Sequence, residues 1–166
     1  MEQKDPKQEK GTFVGLRAAK DTARQLVQWC IKNEIPNPTK QETFHVTLLC
    51  SRKYLPDYVP AGQLEEPYLC IPERFTIWKT STTNQTGPQT NCLVVRLQSP
   101  KIVARHQFLL SEHRATNEHD IYIPHVTLSY DVGELNSSQL QIIDFELVFD
   151  CEYHNDLKIN WVNNET

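Results

Sequence analysis

The sequence predicts an α+β fold of two pseudo-symmetric lobes, each an antiparallel sheet with helices outside, meeting at a central cleft. Three observations predict it. The tetrapeptide His-Val-Thr-Leu occurs twice, as His45 to Leu48 and as His125 to Leu128. Each copy reads as a strand, so imidazole and hydroxyl share one face while valine and leucine share the other. The surroundings repeat as well: Phe13 precedes His45 by 32 residues, and Leu93 precedes His125 by 32. Both halves then read strand, helix, motif strand, further strand.

The elements follow in order. Residues 1–10 are polar and charged and predict a tail, leaving 11–166 as one bilobal domain with lobes near 11–80 and 90–160. Thr12 to Arg17 alternates as a strand. A helix is predicted over Thr22 to Asn33, capped by Asp21, with Ala23, Leu26, Val27, Cys30 and Ile31 as its buried stripe. Ile35-Pro36-Asn37-Pro38 stops it, and Phe44 to Cys50 carries the first motif. Two prolines mark Tyr54 to Gly62 as a loop; Tyr68 to Trp78 predicts one or two strands broken near Pro72. Residues 80–89 are rich in Thr, Asn and Gln and predict a loop. In the second half Cys92 to Leu97 is a strand, and Ser99-Pro100 starts a helix running to about Arg114. Tyr122 to Tyr130 holds the second motif, Ser137 to Ile143 a turn-helix segment, and Phe145 to Tyr153 the last strand.

Composition narrows the function. An apolar fraction of 39% suits a folded domain, and the net charge of −4 opposes a protein that tracks long nucleic acid. A small anion in a locally basic pocket remains compatible with that balance. The five scattered cysteines make no CxxC pair and read as reduced core thiols of a cytoplasmic protein. No apolar run reaches transmembrane length, so no membrane partner is expected. His106, His113, His119 and His154 lack metal-ligand spacing, and no glycine-rich phosphate loop or nucleophile elbow is present. Neither metal nor cofactor is expected.

Two histidines and two hydroxyls in one cleft suit phosphodiester chemistry. One imidazole takes a proton, the other gives one, and the hydroxyls donate to phosphate oxygens. The paired motifs resemble the two-histidine phosphoesterase superfamily, whose fold is bilobal. Gly11-Thr12-Phe13-Val14-Gly15, Ile35-Pro36-Asn37-Pro38, the run from Phe44 to Pro56 and that from Pro124 to Gly133 resemble more closely the bacteriophage anti-CBASS nucleases. That resemblance covers about Gly11 to Trp161. It implies a metal-independent enzyme that cuts 3′–5′ bonds of cyclic di- and trinucleotide immune signals such as cyclic GMP–AMP. It implies His45, Thr47, His125 and Thr127 as the catalytic tetrad, with either histidine as acid or base. It also implies substrate contacts at Phe13, where relatives place a tyrosine, and at Trp78, Glu152 and Lys158. Trp29 and Trp161 fit packing roles instead. The competing readings are an enzyme of RNA ends or 2′–5′ linkages, and a sponge that holds the nucleotide uncut.

Overall fold

The computed structural model describes residues 9–80, 88–113, 115–116 and 121–159. Six strands and two α-helices follow in chain order: β1 (Glu9–Ala18), α1 (Lys20–Lys32), β2 (His45–Ser51), β3 (Gly62–Lys79), β4 (Asn91–Gln98), α2 (Pro100–His113), β5 (His125–Ser129) and β6 (Leu147–Ile159). Short 3₁₀ turns lie at Gln41–Thr43 and Ser137–Gln139. The α+β expectation holds, and Trp161 and His119 lie outside the described residues.

The sheet closes on itself in the order β1-β2-β5-β4-β3-β6, with all neighbours antiparallel. Two three-stranded groups result, β6-β1-β2 and β5-β4-β3. Between β2 and β5 a single register pair, Val46 with Val126, joins them; between β3 and β6 the contact runs from Gly62 to Cys70. The last strand of each sequence half therefore belongs to the other half's sheet. β3 pairs along β4 from Ile71 to Lys79, and β6 pairs along the whole of β1. β3 is one 18-residue strand; its register slips between Pro72 and Arg74, where proline lacks a ladder N–H, instead of breaking.

Alternation sets the two faces. Val14, Leu16, Val46, Leu48, Val126, Leu128 and Phe149 are fully buried on the helix side. α2 starts as its sequence predicts, with the Ile102 N–H donating to Ser99 Oγ at 3.3 Å ahead of Pro100. α1 departs from expectation. It begins at Lys20 after Ala19, so Asp21 sits in the first turn, where its charge favours the helix dipole without capping. Its stripe is also rotated: Trp29 is buried and stacks on Phe75 of β3 at 5.2 Å, whereas Ile31 is exposed. No helix among the described residues is long and apolar enough to cross a membrane.

One buried charge ties these layers together. Glu152 of β6 is 1% exposed. Arg105 of α2 reaches it in a fork, Nε to Oε2 and Nη2 to Oε1, each at 3.0 Å. Tyr58 Oη and the Ala61 N–H also donate to Oε1. Burial alone would raise this carboxyl's pKa, but the bonds from Arg105, Tyr58 and Ala61 outweigh it and leave the pKa below the ordinary value. The assignment of Glu152 to substrate is thus corrected, since its oxygens are consumed inside the protein.

Because that carboxylate is stabilised by folding, its contribution is present above the unfolded pKa of about 4.3 and is lost as pH falls through the lower folded value. Replacing it by glutamine strands the Arg105 guanidinium, and we expect a loss of about 3 kcal/mol at pH 7. Urea unfolding of native and Glu152→Gln protein between pH 7 and pH 3 checks this; the two curves should converge toward the acid end.

Candidate active site

The site forms on the strand face opposite the helices. On β2 His45 and Thr47 point away from the buried Val46 and Leu48, and on β5 His125 and Thr127 do the same around Val126. The Val46–Val126 pair is antiparallel. His45 consequently falls across from Thr127, and Thr47 across from His125. Each histidine faces the threonine of the other half.

Both imidazoles are oriented alike. His45 Nδ1 donates to the Thr43 carbonyl at 2.8 Å, and His125 Nδ1 donates to the Ile123 carbonyl at 2.8 Å. In the neutral ring this fixes the proton on Nδ1 and leaves Nε2 as the reactive nitrogen. Burial lowers the His45 pKa below its ordinary value; the bond to Thr43 opposes the shift, and the nearby Arg17 charge adds to it.

The threonines are held from across the seam. Thr39 Oγ1, from the loop after α1, donates to the Thr127 carbonyl at 2.9 Å. Tyr122 Oη, from the segment before β5, donates to the Thr47 carbonyl at 2.7 Å. Ser129, fully buried, donates to the carbonyls of Pro36 and Asn37 at 2.6 and 2.9 Å, and Asn37 adopts a left-handed φ of 48° to bring them in. The Ile35-Pro36-Asn37-Pro38 stop signal therefore also clamps β5.

Aromatic rings wall the histidines. Phe13 meets His45 edge-on at 5.7 Å, and Trp78 meets His125 edge-on at 4.7 Å. Of the residues expected from sequence, the structure brings together His45, Thr47, His125, Thr127, Phe13 and Trp78. It removes Glu152. The Lys158 side chain lies outside the described residues, though its backbone pairs with Lys10.

Sequence reasoning missed three further residues. Arg17 pairs with His45 in the β1–β2 register and Arg96 pairs with His125 in the β4–β5 register. Arg17 stacks on Tyr153 at 4.6 Å, and Arg96 stacks on Trp78 at 5.6 Å. Their signal was present: an arginine stands 28 residues before His45 and another 29 before His125. Gly15 is the third. A Cβ there would lie 2.8 Å from Phe13 Cε1 and 2.9 Å from Tyr153 Oη, so glycine lets both rings close over the strand beside Thr47.

Elsewhere, His106 is buried, bonds the Leu48 carbonyl through Nδ1 at 2.6 Å and stacks on Tyr122 at 3.8 Å. Among the described residues no group of three or more His, Cys, Asp or Glu is placed to hold a metal ion. No disulfide joins the cysteines; burial pushes the Cys30 and Cys70 thiols up to about 11.

Gly15→Ala should leave the fold intact while driving the Phe13 and Tyr153 rings apart. We expect the His45 imidazole resonances to shift strongly and those of His125 to stay put. Histidine-selective NMR checks this, and equal shifts at both rings would mean a global change instead.

Known proteins share this fold and, separately, much of this sequence. E. coli LigT complexed with 3′-AMP superposes with a TM-score of 0.60 at 14% identity, over 87% of this chain and 86% of LigT. LigT in apo form gives 0.58 at 16% identity, over 91% and 96%. The architecture is thus the bilobal two-histidine phosphoesterase fold. In sequence, the anti-CBASS protein Acb1 of Enterobacteria phage T4 is 33% identical over 154 residues, covering 92% of each chain. The same-named protein of Vibrio phage KVP40 is 31% identical over 157 residues, covering 93% of this chain and 92% of its own. The family model described as anti-CBASS protein Acb1 matches residues 10–164, and the chain belongs to that family.

Proposed function

We propose that the protein is a metal-independent phosphodiesterase that opens 3′–5′ bonds of cyclic di- and trinucleotide signals in the host bacterial cytoplasm, and so counteracts CBASS immunity. The observation that carries this reading is the β2–β5 pairing, which sets two histidines and two threonines around one space. The names of the phage relatives support the immune context.

The scissile phosphate sits between the two His-Val-Thr strands. His45, neutral because its pKa is lowered, takes the proton of the adjacent ribose 2′-hydroxyl at Nε2. That oxygen attacks phosphorus, aided by its enforced proximity. The P–O5′ bond breaks, and protonated His125 delivers a proton to the leaving 5′-oxygen. The ring opens to a linear product ending in a 2′,3′-cyclic phosphate. Thr47 and Thr127 hydroxyls donate to the non-bridging oxygens as charge grows there. Water can then open the cyclic phosphate with the histidine roles reversed. The chain supplies both proton carriers and both hydroxyl donors, the substrate its own nucleophile.

Two outcomes are expected. With EDTA present, native protein converts 3′,3′-cyclic GMP–AMP to linear product, while His45→Ala and His125→Ala each lose about 10²–10⁴ in rate. Chromatography of the digests checks this; full activity in either variant, or intact nucleotide in all digests, sinks the assignment, and binding without turnover would mark a sponge.

The second concerns pH. The acid limb of kcat/KM should have its midpoint below the ordinary histidine value of about 6.5, because His45 must be neutral to act. Arg17→Gln removes a neighbouring cation, which raises the His45 pKa and moves that limb to higher pH. A limb that stays in place would show that another group governs it.

A further inference from the structure

His125, Arg96 and Arg74 are successive register partners on β5, β4 and β3. Cross-strand partners share a face and lie about 5 Å apart, so the three side chains form one row running outward from the catalytic histidine. Two guanidinium groups directly opposite each other are unfavourable by themselves. Among the described residues, the ion pairs with carboxylates lie elsewhere, Arg24 with Asp21 and Arg105 with Glu152. Nor is the pair a sample of a generally basic surface, for the chain carries a net charge of −4.

Arg96 is also fixed in place. Its Nε donates to Thr76 Oγ1 at 3.1 Å and its guanidinium lies against the Trp78 ring. That leaves the two Nη groups as a fork suited to phosphate oxygens. Arg74 is exposed beside it. The first lobe lacks an equivalent pair: Arg17 matches Arg96, but its partner on β6 is Cys151. The extra cation thus breaks the pseudo-symmetry on one side of the scissile position.

Resting on the phosphodiesterase reading above, we infer that Arg96 and Arg74 form a subsite for a second, non-scissile phosphate. A substrate with two or more phosphates in one ring would then be held at His125 and at the arginine pair together. A substrate with a single phosphodiester would engage the tetrad alone.

The test measures kcat/KM on 3′,3′-cyclic GMP–AMP and on the single-phosphate dinucleoside ApA, for native, Arg74→Gln and Arg96→Gln proteins. The ratio of the two values should fall about tenfold in each variant, the scale of a lost charge-assisted hydrogen bond. A ratio unchanged from native in both variants overturns the subsite, whatever happens to absolute rates. A native protein that cleaves neither substrate would refute the nuclease reading, and calorimetric titration with cyclic GMP–AMP then decides the arginines. Binding about tenfold weaker in the variants supports them; equal binding, or none, overturns them.

Discussion

Everything at the site depends on one narrow contact, the seam between β2 and β5. A single register pair would leave two sheets free to rock, and the tetrad is split across that joint. The fold compensates with side chains that reach over it. Thr39 holds the carbonyl of Thr127, Tyr122 holds that of Thr47, and the Thr39 N–H donates to the Leu128 carbonyl at 2.8 Å. Each bond links one half to the motif strand of the other. A short seam leaves the strand face uncovered, while these bonds hold the two motif strands in register, as the proposed two-histidine mechanism requires.

The other seam works differently. β3 and β6 exchange places between the halves, so neither half can complete its sheet alone. The Glu152–Arg105–Tyr58 cluster lies at this exchange, joining β6, α2 and the loop before β3. Buried ionic groups add little net stability over apolar ones, but they penalise any arrangement that leaves one unpaired. Here that penalty falls on slipped registers of β6, because a shift by one residue would turn Glu152 to the opposite face.

What could be read from sequence was local. Strand alternation, the Ser99-Pro100 start and the doubled His-Val-Thr-Leu fixed the motif residues on one face before any contact was known. Partner choice was not local. Nothing in β6 names β1 as its neighbour, and Glu152 lies 47 residues from Arg105 and 94 from Tyr58. A carboxylate within an otherwise polar strand end reads as solvated until its partners are placed. The phase of α1 failed for the same reason: Trp29, not Ile31, is buried because Phe75 of a distant strand offers it a stacking surface. Arg17 and Arg96 were visible as letters, but only register shows that they flank the histidines.

Pseudo-symmetry makes the two histidines geometrically equivalent, so geometry alone cannot divide the acid from the base. Each Nδ1 bonds a carbonyl two residues earlier, each ring meets an aromatic edge, and each has an arginine in register. The division must come from departures from symmetry. On the first side the ring edge is Phe13, apolar, and Arg17 extends to Tyr153; burial and that charge both disfavour an imidazolium at His45. On the second side Arg96 is drawn to Thr76 and Trp78, and the second arginine adds positive potential one strand farther out. An anionic ligand seated on that row would offset the positive potential that the two arginines place beside His125. The inferred arginine row would then make one side of the site answer to a multiply phosphorylated ring and the other only to the phosphate that is cut, and this is the departure from symmetry that the proposed division of acid from base requires.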